Sequence, residues 1–167
     1  MNLRNKAEMF ASIYSAVEYQ YENGPVSESS INWFVEGLNC QLLIHVAYQE
    51  FFSVTLPKHL RSSEMFADQD WFVDRKITGN GDFIGAQEGD LVFMGPGELS
   101  PNKDPQDDDA KLLHLAMIAE INHQSIDLIH ARPYQGIIIE PMEKIMKLKR
   151  GNKRPYEKVF GVKGLKI

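Results

Sequence analysis

Apolar residues recur at helical spacing near the N-terminus and in short unbroken runs further on, so the chain reads as helices followed by strands. Met9, Phe10, Ile13, Tyr14 and Val17 form the first stripe, and Asn-Gly-Pro at 23–25 is expected to end that helix. A second helix is expected to open at Cys40 with Asn39 as its N-cap, because Leu42, Leu43, Val46, Ala47 and Phe51 fall on one face. LPKHLRSSEMFADQDWF reads as a turn and a short helix. After the turn-rich TGNGDFIGAQEGD the period changes: DLVFM, LLHLAMIAEI, IDLIHA and GIIIE are short apolar runs bounded by Gly, Pro or polar clusters, which mark strands. EPMEKIMKL reads as a short helix or turn, and KVFGVKGLKI as a last strand. The acidic, proline-bearing stretch 95–111 reads as an exposed loop between two strands. Helices first and antiparallel-type strands after is the α+β pattern, here in a single domain over 1–167.

Composition and charge narrow the classes. A hydrophobic content of 43% with 25% charged residues belongs to a folded globular chain and excludes global disorder. The net charge of -5 weighs against nucleic acid as partner, since phosphate binding is dominated by Lys and Arg. The basic tail KIMKLKRGNKRPYEKVFGVKGLKI is read as a solvated strand face and not as a nucleic-acid patch. The single cysteine excludes an internal disulfide framework. No apolar signal-peptide core stands at the N-terminus, and no segment approaches the roughly 20 apolar residues that span a bilayer, so the expected location is the cytoplasm. Nothing in the pattern speaks to oligomeric state.

Candidate chemistry begins at Cys40. A cysteine in the first turn of a helix feels the positive end of the helix dipole and its unpaired N–H groups, which favour thiolate and suit a developing oxyanion. The competing reading is a small buried hydrophobe, the commonest role of free cysteine. A thiolate nucleophile needs a base from another rigid element. His114 and His130 each interrupt an apolar strand, and a short turn joins those strands into neighbours. His45 within the helix, His59 in a polar turn and His123 in the turn EINHQSID are expected to be structural or surface residues.

EGLNC with the apolar helix after it, then LPKHLRSSEMF, QEGDLVFMG, LLHLAMIAEI and DLIHARPYQGIIIEP, in that order, resembles the NlpC-type branch of the papain-like cysteine peptidases. The resemblance implies a papain-like fold in which a nucleophile helix packs on an antiparallel sheet. It implies Cys40 as nucleophile, His114 as general base and His130 as the residue orienting that base, with no cofactor. The implied substrate is a peptide or a small acyl compound, with cell-wall peptides as one class, and the same thiolate would also serve an acyltransferase. Where the family carries Asp before and Ser after the cysteine, this chain has Asn39 and Gln41. The family's HVGIY-like run becomes His114 followed by Leu115, Ala116 and Met117. ENGPVSESSINWFVE holds no counterpart of the family's upstream tyrosine. Because that Asp is associated with binding a substrate's free amine, Asn39 implies poor use of free-amine peptides. Two other readings stay open: a zinc site from Cys40, His114 and His130, whose ligand types suit the metal but lack close Cys-x-x-Cys or His-x-x-His spacing, and a non-catalytic peptide- or partner-binding module.

Overall fold

A computed structural model describes residues 1–77, 83–123 and 125–166. The helical part comprises α1 (Leu3–Ile13), a 3-10 turn at Glu28–Asn32 running into α2 (Trp33–Glu36), α3 (Cys40–Phe52) and α4 (Ser62–Ala67). Then come β1 (Phe72–Asp74), β2 (Lys76–Ile77), β3 (Phe83–Ile84), β4 (Leu91–Gly95), α5 (Asp108–Lys111), β5 (His114–Ile121), β6 (Ile126–Arg132), β7 (Gly136–Pro141), α6 (Met142–Met146) and β8 (Lys158–Leu165). The long strands form a six-stranded sheet in the order β1-β8-β4-β5-β6-β7, antiparallel at every pairing, while β2 and β3 pair separately. The α+β class expected from the hydrophobic pattern is therefore the class observed.

The central strands read as unbroken apolar runs because both faces of the sheet are covered. Leu115, Met117 and Ala119 of β5, with Leu91, Phe93, Ile129 and Ala131, join a core shared with α1, α3 and α4. The alternate positions Ala116 and Ile118, with Val92, Met94, Leu128 and Val162, join a smaller core closed by Ile145 of α6 and by Tyr156. Two buried faces remove the polar half of the usual period-2 alternation.

The first helix differs from expectation. α1 ends at Ile13, ten positions before the Asn-Gly-Pro break, and Met9 and Ile13 of the expected stripe are 51% and 65% exposed. Its buried face is Ala7 and Phe10, with Trp33 packed on Phe10 and on Tyr14 at ring distances of 5.8 and 4.6 Å. Helix cannot continue because 18–20 is drawn out as extended chain: Tyr19 bridges Leu38, Gln20 N–H donates to the Leu38 carbonyl at 2.8 Å and Leu38 N–H donates to the Glu18 carbonyl at 3.1 Å. A tertiary pairing thus overrides local helix propensity.

The remaining elements fall close to their expected places. α3 begins at Cys40, and β4 to β8 cover the apolar runs, with EPMEKIMKL supplying α6. The stretch 95–111 joins β4 to β5 as expected but closes with the short α5, capped by Asp107, whose carboxylate accepts from Ala110 N–H at 2.9 Å. The turn expected at 78–82 lies outside the described residues. Among the described residues no helix is long and apolar enough to cross a membrane.

Candidate active site

The chain reaches Cys40 through a laced lead-in. Gly37 ends α2 at φ 89°, a left-handed backbone, and a Cβ there would meet the Glu18 carbonyl at 2.7 Å, so glycine alone fits the turn. Asn39 then holds a backbone partner at each end of its side-chain amide. Its Oδ1 accepts from Leu42 N–H at 2.9 Å as the N-cap, and its Nδ2 donates to the Tyr21 carbonyl at 3.1 Å. These bonds bring Tyr19 and Tyr21 to the wall of the cleft that Cys40 heads, a cleft of about 860 Å³ also lined by His114, Arg150 and Tyr156.

The expected effect of the helix start on Cys40 is outweighed by its surroundings. Burial pushes the thiol up to about 11, against the opposing pull of backbone groups of Leu115, Cys40 and Gln41. The groups that favour the thiolate come from the first turn of α3 and from the residue after His114, and burial outweighs them. The resting group is a neutral thiol at neutral pH. Its alkylation rate by iodoacetamide is accordingly expected to climb about tenfold per pH unit from 7 toward the top of the accessible range. A plateau reached below pH 7, measured by mass spectrometry on this single-cysteine chain, would show instead a thiolate already paired with imidazolium.

His114 and His130 meet as the strand pattern suggests, and a carboxylate stands behind them. His114 Nε2 and His130 Nδ1 are 2.8 Å apart, and His130 Nε2 lies 2.7 Å from Glu140 Oε2. Arg132 holds that carboxylate through both oxygens, Nε to Oε2 and Nη2 to Oε1, each at 2.8 Å. The His130 and Arg132 bonds hold the Glu140 carboxyl well below the usual carboxylate range against the opposing effect of burial. The hydrogens follow from partner chemistry. An ionised carboxylate only accepts, so His130 must carry its proton on Nε2, and in the neutral ring Nδ1 becomes an acceptor. His114 must then donate from Nε2, which leaves its Nδ1 as a bare lone pair. Among the described residues that Nδ1 has no hydrogen-bond partner, and no fully enclosed side-chain nitrogen or oxygen lacks one, so it faces the cleft.

Burial sets the His114 ring neutral, well below the ordinary histidine value, and the charges of His130, Arg150 and Arg132 push in the same direction while Glu140 opposes them. His130 is likewise lowered, by burial first, with Glu140 opposing. Tyr156 covers the His114 ring at a centroid distance of 4.3 Å and an interplanar angle of 34°. The start of β5 is tied to the cysteine helix through Ser62: Gln41 Nε2 donates to Ser62 Oγ at 2.9 Å, and Ser62 Oγ donates to the Leu113 carbonyl at 2.8 Å. The result is a neutral base, oriented through a fixed chain of hydrogen bonds, in the same cleft as a neutral thiol. That arrangement can take a proton from a thiol as sulfur attacks a carbonyl.

The other histidines lie apart from this cluster. His45 Nε2 bonds the Leu60 carbonyl at 2.6 Å, while His59 and His123 are exposed. Among the described residues no three His, Cys, Asp or Glu side chains are grouped to hold a metal, and both nitrogens of His130 are already engaged, so the zinc reading has no ligand set. Glu140 was legible as a lone acid ending the apolar run GIIIE, two strand positions from Ile138, which pairs with His130. Two cleft-lining tyrosines stand just before the segment ENGPVSESSINWFVE, in the run EYQYENG: Tyr21 one residue ahead of it and Tyr19 two residues earlier. Tyr156 had no local signal. No protein-family model matches the chain, and no curated protein matches it.

Proposed function

We propose that this chain is a divergent papain-like cysteine hydrolase that cleaves an amide or ester bond through a thioacyl-enzyme. The observation that carries the reading is the hydrogen-bonded line from Glu140 through His130 to His114, which leaves one unprotonated imidazole nitrogen facing the cleft of the only cysteine. In the first step the Cys40 sulfur attacks the carbonyl carbon as His114 Nδ1 takes the thiol proton, and the carbonyl oxygen becomes an oxyanion. The N–H groups at the start of α3 would receive it, as a helix start suits a developing oxyanion. The carbon–nitrogen or carbon–oxygen bond then breaks, with the His114 proton passing to the leaving amine or alcohol. Water, deprotonated by the same nitrogen, attacks the thioester and releases the acid and the free thiol. His130 orients His114 and shares the transient positive charge, while Glu140 remains ionised and fixes the tautomers.

The committed side chain of Asn39 bears on substrate choice. Both of its polar ends already hold backbone partners and it offers no charge to an ammonium, and an Asn39→Asp exchange would turn a carboxylate oxygen toward the Tyr21 carbonyl. Blocked, internal or non-murein acyl substrates therefore suit this cleft better than free-amine stem peptides. The test is acyl-enzyme capture. Incubation with a panel of chromogenic acyl esters and N-blocked peptide anilides, quenched in acid, is expected to add one acyl mass to Cys40 and to leave Cys40→Ala unmodified. Hydrolysis by Cys40→Ala at the wild-type rate would overturn the proposal.

A further inference from the structure

The cleft wall beside His114 carries a cation without a carboxylate. Arg4, Arg61, Arg75 and Arg132 each grip an acid at 2.5 to 3.1 Å. Arg150 has no such partner among the described residues; its one side-chain hydrogen bond there is donated from Nη2 to Tyr156 Oη at 3.2 Å. Arg154 likewise has no ion pair among the described residues, but it does not line the cleft. Arg150 is held in place: its backbone bridges Lys153 across a tight turn, with N–H to carbonyl distances of 2.8 and 3.1 Å, and its guanidinium lies 5.9 Å from the Tyr156 ring centre. That ring in turn rests on His114. The cleft's two carboxylates leave Arg150 unmatched, for Glu64 is taken by Arg61 at 3.1 Å, and Glu22 makes no ion pair with Arg150. In a chain of net charge -5, a braced and exposed cation next to the reactive pair is a local feature and not a general one.

We infer that Arg150, braced on Tyr156 beside His114, receives a carboxylate of the substrate, which makes the substrate class an acidic amide or ester whose carboxylate lies close to the bond that breaks. This rests on the acyl-transfer reading of Cys40 and His114. A guanidinium offers a carboxylate two parallel N–H bonds, a geometry that fixes orientation as well as charge. Docking also changes the chemistry next door. Arg150 is among the charges that hold His114 neutral, so a bound carboxylate relieves that repulsion and makes Nδ1 a stronger base only when an acidic substrate is in place.

The test needs no knowledge of the substrate, because two alkylating reagents differ only in the charged group one bond from the reacting carbon. Iodoacetate carries a carboxylate there and iodoacetamide a neutral amide. The folded protein is expected to show a ratio of iodoacetate to iodoacetamide rates at Cys40, measured at pH 8 and low salt, about fivefold above that of Arg150→Gln, the size expected of one exposed charge pair. Arg150→Lys should keep most of the preference, and 1 M NaCl should remove most of it. An unchanged ratio in Arg150→Gln, with Cys40 still reactive, overturns the carboxylate site and leaves the hydrolase reading standing. A Cys40 that resists both reagents in the folded protein and reacts only after unfolding overturns the two together.

Discussion

With His114 replaced by alanine, turnover of an acyl ester is expected to fall about 10²- to 10⁴-fold, the usual contribution of a positioned general base. The loss should appear in kcat more than in KM, since the role proposed for the ring is to move a proton and not to hold the bound substrate. Cys40→Ala should leave no acyl-enzyme at all. His130→Ala should fall between wild type and His114→Ala, because it frees His114 to rotate and to change tautomer while leaving the base in the cleft. His59→Ala and His123→Ala, both at exposed positions, should be nearly neutral. His45→Ala removes a bond to the Leu60 carbonyl and should lower the melting temperature with little effect on rate. Steady-state kinetics on these variants decides the assignment: a crippled His123→Ala beside a mild His114→Ala would place the base on the wrong strand.

Loss of the Glu140 carboxylate should be felt in both stability and rate. Glu140 is 2% exposed and grips His130 and Arg132, so Glu140→Ala leaves a part-buried guanidinium unmatched and is expected to cost about 3–5 kcal/mol. Glu140→Gln preserves the shape but faces an amide N–H toward a donor in either orientation, because His130 and Arg132 both donate. A rate loss of about 10- to 100-fold with the fold retained is expected, by analogy with removal of partners that orient a reactive imidazole. The pH dependence has a definite sign. Glu140 is held below its ordinary value in the folded state, so its stabilisation is full above the unfolded carboxylate range and is lost progressively as pH falls from that range toward the lower folded value. His114 and His130 are also lowered on folding, so protons favour the unfolded chain below the ordinary histidine value, and stability again falls with pH. The wild-type melting temperature should therefore decline from pH 7 downward, first as the histidines of the unfolded chain charge and then, below about pH 4, as its carboxylates take up protons. Glu140→Gln should lose the carboxylate's share of that slope, and calorimetry across the range reads the difference. A slope unchanged in Glu140→Gln would show that the carboxylate is not held ionised by its partners.

Local pattern determined a good part of this molecule. The start of α3 was legible because a cap and an apolar face are written within a few residues: Asn39 accepts from Leu42 N–H three positions on, and Leu43, Ala47 and Phe51 follow at helical spacing. Strands β4 to β8 were legible because strands buried on both faces leave short unbroken apolar runs. The pair of His114 and His130 could be suspected because a short turn makes their strands neighbours. Tertiary structure alone decided the rest, through contacts between residues far apart in the chain that leave no local periodicity. The end of α1 depended on Tyr19 pairing with Leu38, and the cover over His114 depended on Tyr156 folding back from a segment with no strand or helix pattern. Even the state of Cys40 was a tertiary matter. The helix start that favours a thiolate is encoded next to the cysteine, while the burial that overrides it comes from the strand and loops packed around it, and desolvation of a whole charge outweighs the partial charges of a few N–H groups.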